Sequence, residues 1–284
     1  MEKVLVLGNK GMLGHVLYET FQAIKCEIKY DIIGINRSDD KIDDKSYRLD
    51  VLNFEKLEQF INIHKPKYVI NCIGTLVETS INNPILAIKT NSLLPHFLND
   101  ISEKCNFKLI HISTDCVFDG KKGMYKESDK KTETNYYGLT KNLGEINNSE
   151  NLTIRTSIIG PELKSKPTGL FNWVISKKGG VTHGYSNAVW SGLTTIELSK
   201  FIIWSLDKEI SGIVHATNGV GISKHSLIKI INDVFDLKIE LTKNTKYRIN
   251  KSLVNTKINN YYFPTYLEMV KKMKNWIEDY NYKI

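Results

Sequence analysis

Long hydrophobic runs are missing from this chain of 284 residues, and that absence removes whole classes of protein at once. No stretch approaches the twenty or so apolar residues of a membrane span, and the opening Met-Glu-Lys-Val-Leu-Val-Leu-Gly lacks the length and flanks of a secretory signal. No membrane span and a cytoplasmic setting are therefore expected. Cysteine is scarce: Cys26, Cys72, Cys105 and Cys116 show neither metal-ligand nor redox-motif spacing, so they read as reduced thiols and no metal is expected. There is no internal repeat and no low-complexity linker. The charge balance is basic, 39 Lys+Arg against 31 Asp+Glu and a net +8, but the lysines are scattered and form no aromatic-interleaved stripe. Nucleic acid is not expected as a partner; a phosphate-bearing small molecule is compatible with the charge.

What is present is alternation. Lys3-Val-Leu-Val-Leu7 reads as a buried strand, followed by helical spacing from Met12 to Ile24, a second apolar run from Tyr30 to Ile35, and a helix capped by Asn53 running to about His64. Lys67 to Ile73 is another strand, Pro84 to Glu103 a helix, Phe107 to Ile112 a strand, Tyr136 to Asn147 a helix, and Leu152 to Ile159 a strand. Strands alternating with helices predict an α/β fold, a Rossmann-type doubly wound parallel sheet over residues 1–160. After Gly160-Pro161 the pattern loosens. Loops with one short helix around Gly169 to Ser176 are expected as far as Trp190, then a helix from Leu193 to Leu206, a strand from Ile213 to Ala216, and a helix from Lys224 to Phe235. Residues 161–284 are expected to form mainly a smaller substrate-binding cap, with part of 190–215 returning to complete the first domain.

Between the first strand and the first helix stands Gly8-Asn-Lys-Gly-Met-Leu-Gly14. Glycines at this spacing permit a tight turn and close backbone approach, and the helix N-terminus offers free N–H groups to a pyrophosphate. Gly8, Lys10, Gly11, Met12, Leu13 and Gly14 are thus candidate cofactor contacts. An NAD-preferring site places a carboxylate at the end of the second strand. Here that place holds Asn36, Arg37 and Ser38, with Asp39 and Asp40 slightly later. Arg37 can accommodate a 2′-phosphate, so NADP(H) is favoured, with NAD(H) left open.

The strand ending at Ile112 runs into Ser113-Thr-Asp-Cys-Val-Phe-Asp-Gly120, which puts a hydroxyl pair, a carboxylate and a thiol where such sheets hold ligands. Downstream, Tyr137 and Lys141 are four residues apart and share one face of a helix. An ammonium beside a phenol is expected to lower the phenol's pKa, which suits a general acid for carbonyl reduction.

With these motifs in order, the sequence resembles the extended short-chain dehydrogenase/reductases, and within them the dTDP-4-dehydrorhamnose reductases and their nucleotide-sugar relatives. The residues that carry the resemblance are GNKGMLG, YRLDV, VINCIG, NPILAIKTNSLLP, HISTDCVFDG, YYGLTKNLGE, IRTSIIGPE and, more faintly, GIVHATNG and SLVNTK. It implies Thr114 as the catalytic hydroxyl, Tyr137 as the proton donor and Lys141 as the lysine that also binds the nicotinamide ribose. It further implies Asp50 and Val51 near the adenine, Cys72, Ile73 and Gly74 along the cofactor cleft, and Asn91 behind the active site. Thr75, Asp115, Val117 and Phe118 become substrate-pocket candidates, Phe118 doubling as packing. The implied activity is NADP(H)-dependent reduction of a nucleoside-diphosphate-linked 4-keto-6-deoxy sugar for a surface glycan, by a chain that could form homodimers.

The sequence also departs from that pattern. Cys116 stands where the reductases carry an aromatic residue. In the related GDP-fucose synthase a cysteine at this place is an acid/base working with a histidine, but residues 161–176 contain none, and His183 is the nearest downstream. A bifunctional epimerase-reductase using Cys116 is thus the alternative within the class. Ile158 replaces a tryptophan and Gly192-Leu-Thr-Thr195 replaces the usual proline-threonine region, so the sugar pocket is expected to be altered, with His183, Tyr185 and Trp190 as candidates. The alternative of another class is an NADP-binding regulatory subunit without turnover, similar to that of methionine adenosyltransferase.

Overall fold

Val4, Leu5, Val6 and Leu7 have no exposed surface, as a strand covered on both faces requires, and they form the middle of strand β1 (Glu2–Leu7). The computed structural model describes residues 1–23, 30–38, 43–280 and 282; Ile24, Cys26, Asp39 and Asp40 lie outside the described residues. After β1 come α1 (Met12–Ala23), β2 (Tyr30–Asn36), β3 (Ser46–Arg48), α2 (Phe54–His64), β4 (Tyr68–Asn71), α3 (Val77–Asn82), α4 (Pro84–Ala87), α5 (Leu94–Lys104), β5 (Lys108–Thr114), α6 (Tyr136–Leu143) and β6 (Leu152–Thr156). The second half adds β7 (Ile158–Ile159), α7 (Leu170–Ile175), β8 (Val181–Trp190), β9 (Leu193–Thr194), α8 (Thr195–Leu206), β10 (Gly212–His215), β11 (Ile222–Ser223), α9 (Lys224–Phe235), β12 (Glu240–Asn250) and α10 (Tyr266–Asp279).

Seven strands pair in parallel in the order β10-β6-β5-β4-β1-β2-β3. The order reverses between β1 and β4, which opens a crevice at their carboxyl ends, the ligand position of doubly wound sheets. Helices cover both faces. On one, Val4, Val6 and Ile154 pack with Leu17, Phe201 and Met273 of α1, α8 and α10; on the other, Leu5, Leu7 and Val69 pack with Leu57, Ile61, Leu94 and Leu98 of α2 and α5. Helix starts follow the side chains before them. Asn53 accepts the Lys56 N–H at 3.1 Å, and Thr265 with Glu268 makes a reciprocal cap on α10.

Several segments differ from the sequence-based expectation. The helix expected from Pro84 to Glu103 is α4 and α5 joined by a π-turn at Ile88–Leu93, and α3 precedes it. The helix begun at Tyr136 stops at Leu143 rather than near Asn147, because the chain turns at Gly144 to deliver Glu145 inward. The strand expected from Leu152 to Ile159 breaks at Ser157, so β7 leaves the main sheet and pairs with β9. The largest departure is β8, expected as loop. Its inward positions Gly184 and Ala188 are small, so the period of two is invisible in hydrophobicity, and a Cβ on Gly184 would lie 2.5 Å from the Cα of His225. Its partner β12 is almost wholly polar and pairs with it in parallel about sixty residues later in the chain.

Beneath the carboxyl end of the sheet lies a buried ion pair. Arg155 of β6 grips Glu145, Nε to Oε1 at 2.7 Å and Nη2 to Oε2 at 2.8 Å, with the arginine 1% exposed. Such a pair is expensive to halve: Arg155→Met should cost about 3–5 kcal/mol by stranding Glu145, while the double change to Arg155→Met with Glu145→Met should recover much of that loss. Urea unfolding of the three proteins measures the difference.

Candidate active site

The glycine turn sits at the mouth of the crevice. Gly8 has φ of 85°, its N–H donates to the Ile35 carbonyl at 2.8 Å, and a Cβ there would lie 2.8 Å from Ile73 Cγ1. At Gly14 a Cβ would stand 2.0 Å from the Gly8 carbonyl oxygen, so only glycine lets α1 begin this close to the strand. The first turn of α1 has no acidic residue, which leaves its amide groups able to receive an anion. Leu13 is buried in the core and Met12 reaches toward Gly169. Lys10 Nζ donates to Ser38 Oγ at 2.8 Å, beside the exposed Arg37. Sequence reasoning missed the buried amide network behind them: Asn36 donates to Asn9 Oδ1 and Ser46 Oγ, both at 3.1 Å, which commits Asn36 to the turn. Asp50 is exposed and accepts the Leu52 N–H at 3.0 Å, whereas Val51 is buried in the core rather than at the surface of the crevice.

Across the crevice, the end of β4 brings Cys72, Ile73, Gly74 and Thr75 against the π-turn. Asn91, wholly buried, accepts the Thr75 N–H at 2.9 Å and donates to Thr75 Oγ1 at 3.0 Å and Thr140 Oγ1 at 3.1 Å. It thereby ties the floor of the crevice to α6. Gly74 lies open toward Lys141, whose Nζ would be 3.9 Å from a Cβ there.

Strand β5 ends at Thr114 because Thr114 caps the short turn Asp115–Val117: its Oγ1 accepts the Cys116 N–H at 3.1 Å and donates to Asp115 Oδ1 at 3.2 Å. Beside this hydroxyl lies the phenol of Tyr137, which projects from the first turn of α6 and is half-buried. Thr114, Asp115, Cys116 and Tyr137 therefore converge, with Lys141 one helical turn after Tyr137. Val117 and Phe118 do not line the cleft; they are buried with Tyr125 and Leu253, Phe118 stacked on Tyr125 at 4.2 Å. Trp190 is buried and donates Nε1–H to Ser157 Oγ at 2.9 Å, while His183 and Tyr185 are on the outward face of β8, their rings 5.7 Å apart. Two lysines of the second half of the chain that sequence spacing could not reveal, Lys224 at the start of α9 and Lys251 after β12, act electrostatically on Asp115 and Cys116.

The charges in this cleft are governed by burial. Burial raises the Asp115 carboxyl, and Lys224 and Lys251 pull it back. Burial and the neighbouring Asp115 push the Cys116 thiol up to about 12, so it keeps its proton at neutral pH. The Tyr137 phenol is raised as well, by burial and then by Cys116 and Asp115, with the Thr114 hydrogen bond opposing. This corrects the expectation that Lys141 lowers the phenol. Lys141 instead donates to the Ile112 carbonyl at 2.7 Å, near the carboxyl end of the interior strand β5.

Comparison with known proteins fits this geometry. The family model for the RmlD substrate binding domain matches residues 1–166. The chain belongs to that family. It is 30% identical over 143 residues to the probable low-salt glycan biosynthesis reductase of Haloferax volcanii, a match covering 49% of this chain and 46% of that protein. The chain thus spans about half the length of that relative. With the methionine adenosyltransferase 2 subunit beta of Rattus norvegicus it shares 25% identity over 256 residues, 83% of this chain and 72% of the other. Among solved structures, the dTDP-4-dehydrorhamnose reductase of Bacillus anthracis in complex with NADP has the same fold, with a TM-score of 0.79 at 22% identity over 97% of this chain and 99% of that one.

Burial holds Lys141 down to about 8 from the ordinary 10.5, with Glu145 and Cys72 opposing. Between those two pH values the unfolded chain binds the extra proton, so this group's contribution to stability should rise with pH from about 8 to 10.5. An NMR titration of the lysine Cε resonances, with Lys141→Met to identify the signal, should show one lysine titrating near 8.

Proposed function

We propose that the protein is an NADP(H)-dependent reductase of a nucleoside-diphosphate-linked 4-keto-6-deoxy sugar, working in the cytoplasm on a precursor of a surface glycan. The observation that carries this reading is the placement of Tyr137 beside Thr114 at the end of β5, with Lys141 beside Gly74 and the glycine turn across the crevice. The cofactor fits the residues present: Gly8 and Gly14 leave a side-chain-free cradle at the α1 N-terminus, and Gly74 leaves the approach to Lys141 clear. The exposed Arg37 suits a 2′-phosphate. NADPH, when bound, supplies the hydride.

The chain's own residues do the rest. Thr114 orients the carbonyl oxygen beside Tyr137. Tyr137, kept protonated by burial, gives its proton to the oxygen as negative charge develops there. Lys141, anchored on Ile112, holds the ribose side of the cofactor and carries a positive charge below about 8. Cys116 does not favour the epimerase alternative, since a thiol raised to about 12 is a poor base at neutral pH. A regulatory subunit without turnover is supported by the long alignment with the rat protein, and the Thr114, Tyr137 and Lys141 arrangement weighs against it.

Incubation with NADPH and a panel of nucleotide-linked 4-keto-6-deoxy sugars in heavy water, read by product mass, tests the proposal. The expected product is a reduced sugar without carbon-bound deuterium. Tyr137→Phe should lower kcat about 10²- to 10⁴-fold and leave NADPH affinity unchanged. NADPH binding with no turnover across the panel would instead favour the regulatory reading.

A further inference from the structure

His15, one turn into α1, is wholly buried and takes no part in the transfer of hydride or proton. Its Nδ1 lies 2.7 Å from the Gly11 carbonyl oxygen, which also accepts the His15 backbone N–H at 3.1 Å. One residue therefore grips this carbonyl twice. Burial brings the imidazole down to about 4, with the Gly11 contact and Glu162 opposing, so at neutral pH the ring is uncharged and has a single N–H. A carbonyl oxygen only accepts, so that proton sits on Nδ1, and Nε2 is left as a buried lone pair with no hydrogen-bond partner among the described residues. The ring is held from the far end of the chain. Trp276 of α10 and Tyr282 pack on it at centroid distances of 6.2 and 5.5 Å, and the Tyr282 hydroxyl lies 3.1 Å from each carboxylate oxygen of Glu19 on α1.

We propose that His15 is a positioning residue for the cofactor: by holding the Gly11 carbonyl inward, it aims the Met12 N–H out of the α1 N-terminus at the pyrophosphate of NADP(H). This rests on the reading of the glycine turn as the NADP(H) cradle. The link is the peptide plane. In a trans peptide the carbonyl oxygen and the next N–H point in opposite directions, so a carbonyl that cannot tilt fixes the N–H of the residue after it. Gly11 has no side chain to restrain that plane, and its own N–H is engaged with the Gly8 carbonyl at 2.8 Å. The imidazole supplies the missing restraint. A donor already aimed before the anion arrives is not reorganised on binding, which favours affinity. Through one ring, the packing of α10 and Tyr282 thus reaches the cofactor turn.

Two variants separate aiming from packing. His15→Leu keeps apolar bulk against Trp276 and Tyr282 but has no donor, whereas His15→Asn is smaller and polar and carries an amide N–H where the imidazole has Nδ1–H. His15→Leu should raise the NADPH dissociation constant about fivefold, and His15→Asn should stay within about twofold of the unsubstituted protein. Thermal melting should rank the two the other way, with His15→Asn the less stable. A merely structural role makes affinity follow stability, so NADPH binding by His15→Leu as tight as by His15→Asn, or tighter, overturns the proposal. Affinity is read by NADPH fluorescence without any sugar. Bound NADPH with no turnover therefore counts against the reductase reading alone, whereas an unsubstituted protein that binds no NADPH overturns the cradle and this proposal with it. Should the variants fail to fold, long-range proton–nitrogen NMR of the unsubstituted protein decides: the expected His15 ring is the neutral Nδ1–H tautomer, and an Nε2–H ring or an imidazolium overturns the proposal.

Discussion

The buried pair of Arg155 and Glu145 joins strand β5 to the end of helix α6, and the candidate site is built on that junction. Glu145 follows α6 directly, and besides Arg155 it accepts the Ser113 hydroxyl at 2.7 Å, one residue before Thr114. The pair therefore ties the strand that ends in Thr114 to the helix that carries Tyr137 and Lys141. Arg155 reaches further, donating Nη1 to the Glu127 carbonyl at 3.2 Å and toward His215 Nε2 at the same distance. Burial lowers His215 to about 4, so its ring is neutral; Nδ1–H donates to the Val254 carbonyl at 2.9 Å and Nε2 is left to accept from the arginine. One guanidinium thus links β6, α6, β10 and the segment after β12.

A single trend runs through the cleft at the end of β5. Asp115, Cys116 and Tyr137 are raised and Lys141 is lowered, so burial moves every one of them toward its uncharged form. Around buried groups such as Asp115 each remaining charge acts over a longer distance than it would at the surface. The charges of Lys224 and Lys251 are accordingly felt by Asp115. The glycine turn works differently: it is a matter of backbone fit, with its support supplied by the neutral amide network of Asn9, Asn36 and Ser46.

Legibility in the sequence followed the length scale of the interaction. The buried strands β1, β4 and β5 were readable because continuous apolar runs signal a two-sided sheet, and Tyr137 and Lys141 because their spacing is local to one helix. Spacing alone misjudged what Lys141 does to the phenol, since it reports a shared helix face and not the carbonyl that the ammonium actually finds at Ile112. Strand β8 was hidden by its small inward residues, and β3 by having only three residues. Lys224 and Lys251 are separated from Asp115 by more than a hundred residues, and no local pattern distinguishes them from the other lysines of a lysine-rich chain.

The parallel pairing of β8 with β12 also has a consequence for how the chain is made. Parallel neighbours cannot be joined by a tight turn, and here α8, β10 and α9 are threaded between the two strands, with β10 going back to the edge of the main sheet. During synthesis, β10 can dock while β12 has yet to emerge, leaving β8 waiting for its parallel neighbour. The crevice at the glycine turn can thus form early on the ribosome, whereas the small sheet of β11, β8 and β12, with its high contact order, is completed only when nearly the whole polypeptide is available.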